Sequence, residues 1–301
     1  MPYKHVALLG LGLIASSICL SLKRATIPMR ITGTSRSAKT RLKARELGLC
    51  EVFENPRQAV EEADLVILCV PVGAMLGLVK EILPNLKPEA TLTDVGSVKG
   101  GVVQKIHSVL PIGVTFIPGH PLAGTEHSGP AAGFETLFDN RWCLLTPLKG
   151  TNCNLIEKLK NFWETLGSKV DTMTPEHHDL VLAVTSHVPH LIAYTMVGVA
   201  DDLAKVTKSE VIDYSAAGFR DFTRIAASDP TMWRDVFLNN KVASLEILER
   251  FTQELSKLET AVEHGDGDFL FNYFSRTREI RRSIVAAGQD TDEPNFGRKV
   301  T

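Results

Sequence analysis

The chain has 301 residues, enough for two domains that each bury a core of their own. Its 44% apolar and 23% charged residues are those of a globular protein, and a net charge of −2 gives no global field for nucleic acid or an anionic membrane surface. No segment is read as approaching the roughly 20 apolar residues that a bilayer-spanning helix needs. Five cysteines, Cys19, Cys50, Cys69, Cys143 and Cys153, are odd in number and scattered, with no CxxC pair. That pattern speaks against a disulfide framework or a zinc cage and for a reducing cytoplasm.

The N-terminus, MPYKHVALLGLGLIASS, is briefly apolar like a signal peptide, yet it reads better as strand, glycine turn and helix. Short apolar runs then alternate with amphipathic, helix-length segments. Strands are predicted at His5–Leu9, Arg30–Thr34, Asp64–Val70, Ala90–Asp94 and Val114–Ile117, with helices near Leu13–Arg24, Ala38–Leu47, Pro56–Ala63, Ala74–Leu83 and Gly101–Leu110. The unbroken apolar run Leu65–Val70 is that of a strand covered on both faces. Such alternation predicts a parallel sheet with crossover helices. A helix over Thr151–Leu166 and a strand at Lys169–Asp171 follow. From Glu176 to Ala286 the pattern is helical, opened by Thr174-Pro175 as N-cap and first-turn proline. The expected fold is therefore α/β: a Rossmann-type parallel-sheet domain over 1–172, followed by an all-helical domain over 173–301. On Lys241–Glu263 the residues Val242, Leu245, Leu248, Phe251, Leu255, Leu258 and Val262 share one face, as internal core or as a dimer seam. Gly265-Asp266-Gly267-Asp268 reads as a turn between helices.

Gly10-Leu11-Gly12-Leu13-Ile14-Ala15 matches G-x-G-x-x-G/A between a predicted strand and helix, which is the context that gives this motif its meaning. Gly10 permits the tight turn, and Gly12 lets the backbone approach a pyrophosphate seated at the helix N-terminus, which Leu13 and Ile14 open. Ala15 is small enough for close packing. Val70 and Pro71, at the end of a neighbouring strand, complete the expected nucleotide contacts. The second strand ends Gly33-Thr34-Ser35-Arg36, without the acidic residue that usually binds the ribose hydroxyls. Arg36 can pair with a 2′-phosphate or stack on adenine, and Ser35 can donate beside it. The cofactor is thus NAD or NADP, with a lean toward NADP.

Two polar segments follow the strand ends where a ligand lies in such sheets: Asp94-Val95-Gly96-Ser97-Val98-Lys99 and Pro118-Gly119-His120-Pro121-Leu122-Ala123-Gly124-Thr125-Glu126. His120 is a natural acceptor for a hydroxyl proton, and Ser97 can orient it. A histidine that merely caps loop backbone is the plainer reading. In Ser186-His187-Val188-Pro189-His190 the two histidines share a helix face, with His177 and His178 nearby, but no carboxylate or cysteine completes a metal set. Substrate contact is the preferred reading. Arg220 and Arg224 lie four apart and suit an anion clamp, or else pair with Asp221 or Asp229.

In order, the motifs GLGLIA, DVGSVK, GHPLAGTEHSG, SHVPH and GFRDFTRIAASDPTMWRD resemble the prephenate/arogenate (cyclohexadienyl) dehydrogenase family over roughly Lys4 to Gly288. The resemblance implies oxidative decarboxylation of prephenate or arogenate in tyrosine biosynthesis, with hydride passed to NAD(P). It implies that His120 takes the ring-hydroxyl proton with Ser97 beside it, that His190 and His187 lie at the substrate, and that Arg224, with Arg220 near, binds a carboxylate. Thr125 and Glu126 would line the mouth. It further implies a homodimer through the helical domain and a small anionic substrate, with no nucleic acid, membrane or metal. Another two-domain dehydrogenase, acting on a β-hydroxyacid, or a dinucleotide-sensing regulator are the alternatives, and neither needs this ordered set.

Overall fold

The structure is a computed structural model and describes residues 3–125, 127–207, 214 and 216–286. Six parallel strands form the first sheet: β1 (His5–Leu9), β2 (Arg30–Thr34), β3 (Glu51–Phe53), β4 (Leu65–Leu68), β5 (Thr91–Asp94) and β6 (Thr115–Phe116). Their order is β3-β2-β1-β4-β5-β6, so the strand order reverses between β1 and β4. The connecting helices are α1 (Leu13–Arg24), α2 (Ala38–Glu46), α3 (Pro56–Val60), α4 (Val72–Ile82) and α5 (Gly100–His107). Alternation along the central strands explains their unbroken apolarity. Val6, Leu8, Leu65 and Ile67 enter one core, whereas Ala7, Leu9, Val66 and Leu68 enter the other. β3 was not expected, because three residues, Glu-Val-Phe, are too few to show a period.

A second, three-stranded sheet extends the α/β part. β7 (Gly119–Pro121) pairs antiparallel with β8 (Trp142–Leu145), which pairs parallel with β9 (Lys169–Thr172) after α6 (Cys153–Thr165). The GHP motif therefore sits on a strand rather than in an open loop. Helices take over beyond β9: α7 (Pro175–Leu182), α8 (Val188–Thr207), α9 (Ala217–Thr223), α10 (Pro230–Asn239), α11 (Lys241–His264) and α12 (Gly267–Ala286). Thr174 caps α7 by accepting from the His177 N–H, with Pro175 at the first helical position. A π turn, Ala183–His187, joins α7 to α8, and the Val188 N–H reaches back to the Ala183 carbonyl. Pro189, which has no N–H to give, follows at once.

That fusion overturns one expectation. Pro175–Leu203 is a continuous run of 29 residues with mean hydropathy 1.5, long and apolar enough by length and composition to cross a bilayer. The run nonetheless carries His178, Asp179 and His187, all buried in protein.

By compactness the chain divides into Met1–Leu245 and Glu246–Thr301. In the second unit α11 turns into α12 at Gly265, whose φ of +66° favours glycine. The apolar stripe on α11 is not buried within the chain. Leu255 and Val262 are 52% and 68% exposed, and Phe271 on α12 is 72% exposed.

Candidate active site

The glycine turn is built as a phosphate cradle. Gly10 has φ +110°, and a Cβ there would lie 2.5 Å from the Cys69 carbonyl oxygen, so the turn admits no side chain. A Cβ on Gly12 would meet nothing within 4 Å and would occupy the space in front of α1. Gly12 caps α1 without a side-chain hydrogen bond, and the first turn holds no acidic residue, so backbone amides and the helix dipole face that space. Leu13 and Ile14 open the helix half-buried, while Ala15 is fully buried against the sheet. Val70 packs behind Gly10, and Pro71 is the exposed N-cap of α4. These residues fit a dinucleotide pyrophosphate. At the ribose end Ser35 is half-buried and Arg36 exposed. Arg41 clasps the turn they form, donating to the Ser35 and Arg36 carbonyls at 2.7 and 3.0 Å.

β-sheet register carries this cradle to the chemistry. Leu9 pairs with Leu68, and Leu68 with Asp94, so three strand ends lie side by side. Asp94 is 1% exposed, and its carboxylate ties together three partners. Its Oδ2 accepts from the Gly96 N–H at 2.9 Å and from Lys99 Nζ, and its Oδ1 accepts from the Gly119 N–H at 3.2 Å. One carboxylate thus ties the GSVK loop to the strand that bears His120, and Lys99 is fully buried in doing so.

His120 is 9% exposed and heads a chain of polar contacts. Its Nδ1 lies 2.9 Å from His178 Nε2, and His178 Nδ1 lies 2.9 Å from Asp179 Oδ1. Asp179 also accepts from the Lys99 and Gly100 N–H groups, each at 2.8 Å. The carboxylate can only accept, which assigns the protons. His178 Nδ1–H donates to Asp179, its Nε2 accepts from His120 Nδ1–H, and a lone pair is left on His120 Nε2. Burial first, then the cost of a further proton beside His178, Lys99 and His187, holds the His120 pKa well below the usual imidazole value. His120 is therefore a neutral base aimed by a relay. Its orienting partner through Nδ1 is His178 rather than Ser97.

The remaining predicted residues fall around this relay. Ser97 is half-buried in the tied loop, and its main chain lies beside the His187 ring. His187 is fully buried, and Asn240 Nδ2 donates to its Nδ1 at 3.0 Å and to the Asp179 carbonyl at 2.8 Å. Burial lowers its pKa to about 4. His190 is half-buried, donates from Nδ1 to the Ser186 carbonyl at 2.8 Å and stacks on Trp233 with ring centroids 3.7 Å apart. Its pKa is lowered by burial, partly offset by the Ser186 bond, and lowered further by the nearby Arg224 cation. Arg224 opens a 3-10 turn, Arg224–Ala227, directly after α9. Arg220 lies exposed on α9, and Thr125 lies exposed with its Oγ1 accepting from the His127 N–H. Glu126 lies outside the described residues. Among the described residues no group of three or more His, Cys, Asp and Glu side chains is placed to hold a metal ion.

Asp179, Asn240 and the functional use of His178, Lys99 and Trp233 were not anticipated. One signal was available. Pro175, His178, Asp179 and Leu182 occupy i, i+3, i+4 and i+7, the buried stripe of α7, and two of the four are polar.

The family profile described as "Prephenate dehydrogenase, nucleotide-binding domain" matches residues 18–172, and "Prephenate dehydrogenase, dimerization domain" matches residues 174–276. The chain belongs to the prephenate dehydrogenase family. Within that family it is 41% identical to the cyclohexadienyl dehydrogenase of Zymomonas mobilis, over 94% of this chain and 96% of that one. It is 37% identical to the prephenate dehydrogenase of Bacillus subtilis, over 93% of this chain and 76% of that one. The crystal structure of Aquifex aeolicus prephenate dehydrogenase in complex with hydroxyphenyl propionate and NAD+ superposes with a TM-score of 0.87 at 33% identity, covering 93% of this chain and 98% of that one. Synechocystis arogenate dehydrogenase superposes at 0.78, with 28% identity and coverage of 93% and 99%.

Proposed function

We propose that the chain catalyses the oxidative decarboxylation of prephenate, arogenate or both in tyrosine biosynthesis, with NAD(P) as oxidant. The observation that carries this reading is the Asp179–His178–His120 relay, which leaves a lone pair on His120 Nε2 one residue from the Asp94-bound Gly119 N–H. A bound dinucleotide supplies the hydride acceptor. His120 accepts the proton of the substrate's ring hydroxyl as hydride leaves the same carbon, and loss of the ring carboxylate as CO2 makes the ring aromatic. Ser97 binds beside the hydroxyl. Arg224, next to His190, holds a carboxylate of the substrate, with Arg220 and Thr125 toward solvent. His187, neutral and enclosed, keeps the GSVK loop and Asn240 in place. A regulator that only sensed dinucleotide would have no use for a relay of this kind.

Residues 1–172 form the nucleotide-binding part and 173–301 the part for substrate and dimerisation. Exposed apolar side chains on α11 and α12 support a homodimer, and the family and its chemistry suit the cytoplasm. Arg36 and Arg41, with no acid at the end of β2, favour NADP. Absorbance at 340 nm tests the activity and the cofactor choice together, with prephenate and then arogenate under NAD and under NADP. Turnover with either substrate is expected. Inactivity with both would overturn the function, and a strong preference in kcat/KM for NAD would overturn the cofactor choice alone.

A further inference from the structure

Two thiols far apart in sequence meet at the ribose edge of the sheet, and nothing in the hydride chemistry uses them. Cys19 lies on α1, fully buried in the core. Cys50 immediately precedes β3 and is half-buried. Cys50 packs against the core cluster that holds Cys19, and each thiol shifts the titration of the other. β2 makes room for Cys50 at Gly33, where a Cβ would come 3.0 Å from Cys50 Sγ and 2.7 Å from Leu11 Cδ2. Cys50 also opens on a cleft of about 240 Å³, shared with Lys23 and the apolar side chains of Leu22, Met29, Ile31 and Leu49. One thiol thus has access to a small molecule, and the other waits behind it.

We propose that Cys19 and Cys50 form a dithiol site that takes low-molecular-weight disulfides through this cleft. Cys50, as thiolate, attacks one sulfur of RS–SR, and the S–S bond breaks with RS⁻ leaving to be protonated by water. Cys19 then gives its proton to water and attacks Cys50 Sγ, which expels the second RS⁻. The two protein thiols are oxidised to one disulfide, and one RS–SR is reduced to two RSH. The asymmetry suits the order of steps. The interaction with Cys19, opposed by burial and aided by the Lys23 cation, lowers the Cys50 pKa, whereas the interaction with Cys50 and burial raise that of Cys19. The new bond would span from α1, which carries the glycine cradle, across β2 two residues before Ser35. Oxidation therefore loosens dinucleotide binding.

Bis(2-hydroxyethyl) disulfide is the probe, applied to the native full chain with exposed Cys153 replaced by Ser. Intact mass should fall by two hydrogens, and trypsin should release His5–Lys23 linked to Glu46–Arg57, separable by dithiothreitol. Cys19→Ala should stop at a mixed disulfide on Cys50, and Cys50→Ala should not react at either position. The oxidised protein should show a dinucleotide KM raised about fivefold or more, with the KM for the cyclohexadienyl substrate unchanged. Absence of the linked peptide under native conditions, or its persistence as another pairing through Cys69, would overturn the site. A linked protein with an unaltered dinucleotide KM would overturn the coupling to the ribose edge.

Discussion

At the scale of the residue, the protonation pattern of three side chains decides what the site can do. Asp179 accepts two backbone N–H groups and one imidazole N–H, so it has no proton to offer. That fixes His178, which in turn fixes His120 with its Nε2 lone pair outward. His120→Asn removes the base while keeping a polar side chain. kcat should fall by about 10² to 10⁴, with substrate KM little changed, as steady-state kinetics would register. Asp179→Asn is nearly isosteric, but its amide can donate to His178 and so reverse the relay. A loss of about 10² in kcat is expected, and NMR of the imidazole nitrogens should show the other tautomer on His120. Retention of the wild-type tautomer with full activity would remove Asp179 from its positioning role.

At the scale of the element, strand ends and helix starts bring the groups together. α1 offers its N-terminus to an anion because Gly12 leaves the space in front open. The GSVK loop and β7 are joined by the buried Asp94–Lys99 pair, both partners being at most 1% exposed. Lys99→Met would leave the Asp94 charge enclosed and uncompensated, at a cost of about 3–5 kcal/mol in unfolding free energy by denaturant titration. The same change removes a cation from near His120 and exposes it to an anion. Both effects favour imidazolium, so the acid limb of the kcat/KM profile should move to higher pH. An acid limb that stays in place would show that Lys99 acts on stability alone.

At the scale of the whole molecule, enclosing neutral histidines makes stability depend on pH. For His187 the folded pKa is about 4 against an ordinary value of 6.5, with burial the main cause. Above 6.5 neither state holds the proton, and the full stability is present. Below 6.5 the unfolded chain takes up a proton that the folded chain refuses, so stability falls until about pH 4. The loss from this group is on the order of 3 kcal/mol, and His120 and His178, also lowered, act with the same sign. Urea midpoints should therefore drop between pH 7 and about 5, and His187→Gln should flatten that slope. An unchanged slope would mean that the ring is not enclosed in solution.

Much of this was legible in one dimension because its causes are local. The period of apolar residues set α1 over Leu13–Arg24 and the strands His5–Leu9 and Arg30–Thr34 at the bounds observed, and a glycine between strand and helix marks a phosphate turn wherever it occurs. Titratable chemistry at His120 was legible from residue type and from its place after a strand. The short strands β3, β7 and β8 were not, since three or four residues carry no period and owe their pairing to a partner distant in sequence. The relay was not legible either. His120, His178 and Asn240 converge from a strand, a helix start and a helix end, and only packing brings a proton donor to its acceptor. Sequence by itself determined which groups were available and on which elements they ride. Tertiary structure alone decided which of them touch, because hydrogen bonds and desolvation act over a few ångströms of space and take no account of distance along the chain.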